Sequence, residues 1–308
     1  METAVVLLRW AQYATSFVLA GGALFTLYAL PAAGAFSAAG LGWPRRLLAG
    51  AAAALALATL AGFLLQTAVL AGSLPAALDP ATLVSALTEM DMGAASVARA
   101  AAATLALLVL LPSPPRRVTF LITALLGGVA VGSMAWMGHG AATEGLAGAL
   151  HLGADIAHLI AAAVWIGALA FFLALAGDGW RGGAAAPVLY SALTGFSGVG
   201  TGAVAALAAT GLINSWFLIG LAGAPALGST LYGELLLLKL ALFGAMILLA
   251  AANRFRLTPA LRQALRDPAD HSPEVGALRR SLALELGAAL ALLAAVAWLG
   301  RLSPIVAQ

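Results

Sequence analysis

The chain contains no cysteine. That excludes disulfides, zinc ribbons, iron–sulfur clusters and every thiolate metal site at once. Charge is almost as scarce: 9% of the 308 residues are Asp, Glu, Lys or Arg, where a soluble domain carries about 25%. So little polar surface cannot cover a water-facing fold, which excludes a soluble enzyme and a disordered chain. A net charge of +3, from 15 basic against 12 acidic residues, does not support a nucleic-acid partner, and none is expected. What the chain has in quantity is apolar residues, 63% of the total. It reads as an integral protein of the lipid bilayer, and the informative question is what its few polar residues do.

A membrane-crossing helix needs about 20 mostly apolar residues. Eight stretches qualify, near 5–30, 47–72, 94–111, 118–138, 151–175, 188–219, 232–252 and 281–301. The expected fold is therefore all-α: a polytopic bundle of about eight transmembrane helices in a single domain over 1–308. Turn chemistry marks the breaks, as at Pro31, Pro44, Pro75, Asp79-Pro80, Pro112 to Pro115, Gly177-Asp178-Gly179 and Pro225. The sixth stretch is too long for one straight crossing and is expected to tilt or run along the interface. Met1-Glu2-Thr3-Ala4 lacks the basic start of a cleaved signal peptide, so the first span is expected to be retained. The longest polar segment, Asn253 to Arg280, predicts one short amphipathic helix over Leu257 to Leu265. Gly198, Gly200 and Gly202 predict close helix packing through small residues. With no Walker-type lysine motif, the chain is not an ATP-driven pump by itself.

Basic residues sort by loop. Arg45, Arg46, Arg116, Arg117, Arg181, Arg254, Arg256, Arg262, Arg266, Arg279 and Arg280 all fall in odd-numbered loops. The even loops, around 73–93, 139–150 and 220–231, hold no Lys or Arg. The positive-inside rule then predicts odd loops in the cytoplasm and both termini in the periplasm.

Under that orientation the ionisable residues of the spans gather toward the outside. Arg9, Arg99, His151, Asp155, His158, Glu234 and Lys239 lie there, with Asn214 toward the same end. The cytoplasmic half of the spans reads as almost wholly apolar, without a ladder of ligands. Charges in a span cost a few kcal/mol each at mid-depth, so these residues are expected to face one another across a wet cavity. His151, Asp155 and His158, spaced i, i+4, i+7, share one stripe of the fifth span. Trp165 continues that stripe and is expected to floor the cavity. His139, Met134 and Met137 lie at the end of the fourth span, and Met90 and Met92 in the loop before the third.

Imidazole with thioether, and no thiolate, suits copper, Cu(I) more than Cu(II). The expected metal set is His139, His151, His158, Met90, Met92, Met134 and Met137. Asp155 is expected to orient a ligating histidine, while Arg99, Lys239 and Glu234 balance charge. The competing readings are plain: methionines in an Ala/Leu helix also serve as core filler, and Arg99 and Lys239 also serve only to neutralise Asp155 or Glu234.

Three segments resemble the copper resistance D (CopD) family of bacterial inner-membrane proteins. The first runs Gly138-His139-Gly140 through His151-Leu152-Gly153-Ala154-Asp155-Ile156-Ala157-His158 to Trp165-Ile166-Gly167. The second is Thr210-Gly211-Leu212-Ile213-Asn214-Ser215, and the third runs from Leu231-Tyr232-Gly233-Glu234 through Lys239 to Asn253-Arg254-Phe255-Arg256-Leu257-Thr258-Pro259. Together they cover about 138–260. The resemblance implies copper handling at the inner membrane, from periplasm toward cytoplasm, with His139, His151, Asp155 and His158 as the metal site. One departure stands out: some relatives place a His soon after the first-span Arg, whereas Arg9 here is followed by Trp10, Ala11, Gln12 and Tyr13. The expected function is copper uptake without enzymatic activity, supplied by a periplasmic donor protein. Two rivals remain open: copper delivery without transport, and a b-type haem electron carrier using the same histidines.

Overall fold

The computed structural model describes residues 1–32, 42–114, 116–138, 145–177, 185–266 and 271–307. The described residues are helical nearly throughout. In chain order the helices are α1 (Glu2–Ala32), α2 (Gly42–Leu70), α3 (Leu74–Ala77), α4 (Pro80–Thr88), α5 (Asp91–Leu110) and α6 (Arg117–Gly132), followed by α7 (Gly145–Leu175), α8 (Ala185–Leu218), α9 (Leu231–Ala252), α10 (Thr258–Ala264) and α11 (Ser272–Leu299). Eight of these stretches are long and apolar enough to cross a membrane, each matching one of the expected spans. The α8 helix is unbroken over 34 residues. At 1.5 Å per residue that is roughly 51 Å, well beyond the ~30 Å hydrocarbon layer, so it tilts or projects.

The breaks behave as turn chemistry dictates. Asp79 caps α4, its Oδ2 accepting from the Thr82 amide at 3.1 Å, and Pro80 occupies the first turn, where its missing N–H costs nothing. Thr230 caps α9 through the Gly233 amide at 3.1 Å. The stretch around 73–93 is therefore not plain loop; it folds into α3 and α4. The amphipathic helix is observed as α10, joined to α9 by a π-helical turn at Asn253–Leu257.

The most enclosed span is α1, packed against α2, α6, α7, α8 and α11. Lipid provides no hydrophobic drive between helices, so close approach depends on small residues. A Cβ on Gly167 would lie 2.6 Å from the Gly21 Cα, and one on Gly127 would lie 2.7 Å from the Ala20 Cα. Those are the tight crossings of α1 with α7 and α6. The expectation for Gly198, Gly200 and Gly202 is corrected: a Cβ on Gly198 or Gly202 would meet nothing, and one on Gly200 only Phe196 of its own helix. Those glycines lie on α8, which turns most of its surface outward. The main core is an apolar cluster running from Tyr13 to Leu293, with Phe25 edge-on to Phe172 at 5.0 Å and tilted against Phe171 at 5.5 Å; a smaller one gathers Tyr232, Leu299 and Ile305.

Successive spans alternate direction, so the loops fall at two ends. One end carries the arginine-rich loops; the other carries the N-terminus, α3 and α4. They are called here the arginine end and the terminal end.

Candidate metal site in an intramembrane cavity

The α7 stripe does what helical spacing requires. His151, Asp155 and His158 all line one cavity of about 140 Å³ at the terminal end, together with Asn214 of α8 and Lys239 of α9. Lys239 is the chain's one lysine. The wall is completed by Tyr13 and Phe17 of α1, Gly138, Tyr232, and the end of α11 at Leu299 and Gly300. Polar groups from four spans thus share a chamber large enough for several waters, which is how the bilayer tolerates them.

His158 is the best defined of these. Its Nδ1 lies 2.9 Å from the Thr210 Oγ1 on α8. The Thr210 hydroxyl is also 2.6 Å from the Ala206 carbonyl, a separation that places the hydroxyl hydrogen on that contact, because a carbonyl has none to give. Thr210 can then only accept from His158. The imidazole is held as the Nδ1–H tautomer, with its Nε2 lone pair uncommitted to Thr210. This is the arrangement by which an outer hydrogen bond fixes a metal-ligating histidine.

Asp155 accepts from the Asn214 Nδ2 at 3.3 Å, and the cations whose field falls on it are Lys239 and then Arg9. The Asn214 Oδ1 is buried without a hydrogen-bond partner, a second oxygen acceptor beside the carboxylate. His151 is 2% exposed and its ring stacks on Phe217, 4.6 Å between centroids and 12° between planes. Among the described residues, no group of three or more His, Asp or Glu is close enough to hold a metal ion. His139 lies outside the described residues, yet Gly138, immediately before it, lines the cavity.

The remaining expected residues are elsewhere. Met134 is fully buried in the apolar core, packing as filler. The Met137 sulfur accepts from Arg99 Nη1 at 2.8 Å. Met90 is the residue before α5, 40% exposed, against a shallow hollow formed with Thr67 and Ser85; Met92 follows in the first turn of α5. Glu234 is on the exposed face of α9 and does not line the cavity. Nor does Arg99 neutralise Asp155 by direct contact. It donates to Gln12 Oε1 at 2.7 Å, Ser133 Oγ at 3.1 Å and the Ser133 carbonyl at 2.9 Å, tying α5 to α1 and α6. Trp165 does not floor the cavity; its Nε1 donates to Glu285 of α11 at 2.9 Å.

Glu285 was missed by the sequence reading, along with Thr210, Gln12 and Ser133. A single carboxylate within Ser281-Leu282-Ala283-Leu284-Glu285-Leu286 was a detectable signal, because any acid in a span needs a reason. It is an exception to the expectation that the cytoplasmic half of the spans is almost wholly apolar.

These features define a class: a polytopic all-α membrane protein whose buried polar groups enclose a histidine–carboxylate chamber near one membrane face. Family models agree on the particular kind. Residues 1–149 match the copper resistance protein D-like N-terminal domain, and residues 190–299 match copper resistance protein D. The chain is 38% identical to the copper resistance protein D of Pseudomonas syringae pv. tomato over 97% of this chain and 96% of that one. It is also 35% identical, over 42% of this chain and 43% of the relative, to the inner membrane protein YebZ of Escherichia coli (strain K12). No solved structure matches. The chain belongs to the copper resistance protein D family, and it is a copper-related, multi-pass membrane protein.

Proposed function

We propose that the protein binds copper in the terminal-end cavity and takes it from the periplasm toward the cytoplasm across the inner membrane. The observation that carries this reading is His158, an imidazole whose Nδ1 is held by Thr210 in a chamber shared with His151, Asp155 and Lys239. The positive-inside rule, applied to the loop arginines, supports a periplasmic position for that chamber. His158 and His151 supply nitrogen donors, and His139, one residue beyond the cavity-lining Gly138, supplies the third. Two or three imidazoles without a cluster of carboxylates suit low-coordinate Cu(I). Lys239 holds the place of a cation near Asp155 until copper displaces it.

Met90 and Met92 do not join this chamber. Their place at the head of α5, on the same end of the bundle, fits a first contact with a periplasmic donor protein. Transfer onward requires a conformational change, since the chamber that gathers these donors lies at the terminal end of the bundle.

His158→Ala and His151→Ala should abolish stoichiometric Cu(I) binding by the purified protein while membrane insertion persists. Proteoliposomes carrying the unaltered chain should accumulate copper. Retention of full binding in both variants overturns the site. Binding without accumulation replaces uptake by delivery, and a Soret band in the purified protein replaces both by haem.

A further inference from the structure

A second cavity, of about 590 Å³, lies between α7, α8, α9 and α11 at the arginine end. Its walls are mostly apolar, with Leu169, Phe172, Val204 and Ile247 among them. Glu285 of α11 reaches it and is 1% exposed. Oε1 accepts from the Trp165 Nε1 at 2.9 Å, and Oε2 accepts from the Asn253 Nδ2 at 2.8 Å. Both donors are neutral.

The charged groups on the surrounding elements are occupied elsewhere. On α1, Arg9 donates to the Gly300 carbonyl. His158 on α7 and Lys239 on α9 line the other cavity. Arg254, at the mouth of this one, donates to Thr201 Oγ1 at 2.6 Å, and the polar side chains that α8 adds to the lining are the hydroxyls of Thr194, Ser197 and Thr201. Arg262 of α10 and Arg279 and Arg280 of α11 are exposed at the arginine end. Among the described residues no cation pairs with Glu285.

A bare carboxylate in such a place is costly, and two neutral hydrogen bonds only partly offset that cost. Either a metal cation or a proton removes that charge. The available donors are oxygens, which match soft copper poorly. A second, independent feature points to the proton. The amide that donates to Oε2 also carries Oδ1, buried and without a hydrogen-bond partner. A carboxylic acid O–H is the donor that such an orphan acceptor lacks. Asn253 also opens the π-helical turn, a local distortion that recurs at functional positions of helices.

We propose that Glu285 is a proton-exchange site, protonated at rest and exchanging with the water of the arginine end through this cavity. The carboxyl gives its proton to water, leaving a carboxylate held by Trp165 and Asn253, and regains it by the reverse step. No other reactant is needed.

Infrared spectroscopy of the full chain in lipid vesicles at neutral pH, without copper, tests this apart from the copper reading. A protonated-carboxyl stretch should be present, lost in Glu285→Gln, moved but retained in Glu285→Asp, and shifted when water is replaced by D₂O. Ala205→Phe, which fills the cavity, should abolish the D₂O shift on the timescale of the unaltered chain. Absence of any Glu285-dependent band overturns the protonated state; a band that never shifts in D₂O overturns exchange.

Discussion

Arg99 and Lys239 are both cations placed within membrane spans, and the bundle treats them oppositely. Arg99 is fully buried, with its guanidinium spread over neutral acceptors on α1 and the turn that follows α6. It lines neither of the two cavities described above, and among the described residues its hydrogen bonds go to no carboxylate. Lys239 stands in the wall of a chamber, with Asp155 in its field. A charge satisfied on all sides by fixed dipoles can do little but hold helices together. A charge left facing open space, opposite a carboxylate and a histidine of fixed tautomer, can be exchanged for another cation. In this chain the contrast divides the structural polar residues from the candidate functional ones better than residue type does.

The largest expected effect lies on the structural side. Arg99→Met leaves Gln12 Oε1 and the Ser133 carbonyl without donors in the bundle interior, at roughly 1–3 kcal/mol each. The detergent-solubilised protein should lose thermal stability by more than any cavity variant does, Lys239→Met included. If Arg99→Met and Lys239→Met prove equally stable, the distinction drawn between them is wrong.

The next effect lies in the cavity. Asp155→Asn keeps the size and the contact with Asn214 but removes the charge that favours a cation beside His158. Cu(I) affinity should fall by about 10–100-fold, the usual range for groups that support a metal ligand without touching the metal, with Tm nearly unchanged. An unchanged affinity, measured by competition with a chelator, would remove Asp155 from the site.

How much of this was legible beforehand follows from the physics of each feature. The spans were legible because the bilayer demands a length and a composition that nothing else in a protein shares. The His151/Asp155/His158 stripe was legible because side chains three and four apart on a helix must share a face. The partners of those residues were not. Arg99 finds Gln12 across 87 positions and Ser133 across 34, and periodicity within one helix says nothing about such distances. That is why Arg99 read as a counter-ion for Asp155. The methionines misled for a related reason: i, i+3 spacing puts Met134 and Met137 near one another, but the chain leaves α6 in a 3₁₀ turn, sending one side chain into the core and the other to Arg99. Glycines gave the same lesson, since the run on α8 faces outward while Gly21, Gly127 and Gly167 make the tight crossings.

The smallest expected effect tests the finest part of the reading. Thr210 never meets copper in the proposed site; its contribution is to fix where the proton of His158 sits. Because its hydroxyl hydrogen is committed to the Ala206 carbonyl, it must accept from Nδ1, and Nε2 keeps its lone pair. Thr210→Val preserves shape and removes one of two acceptors for the ring, the other being the Leu207 carbonyl, which lets part of the population adopt the Nε2–H form that cannot bind a metal through that atom. Affinity should fall toward the lower end of the same range, about tenfold. Nitrogen NMR of labelled histidine should then show a tautomer mixture where the unaltered chain shows one form. Thr210→Ser restores a hydroxyl able to bond back to Ala206 and should restore both readings, which a mere packing role for Thr210 would not require. A single tautomer in Thr210→Val would mean that something other than Thr210 orients His158.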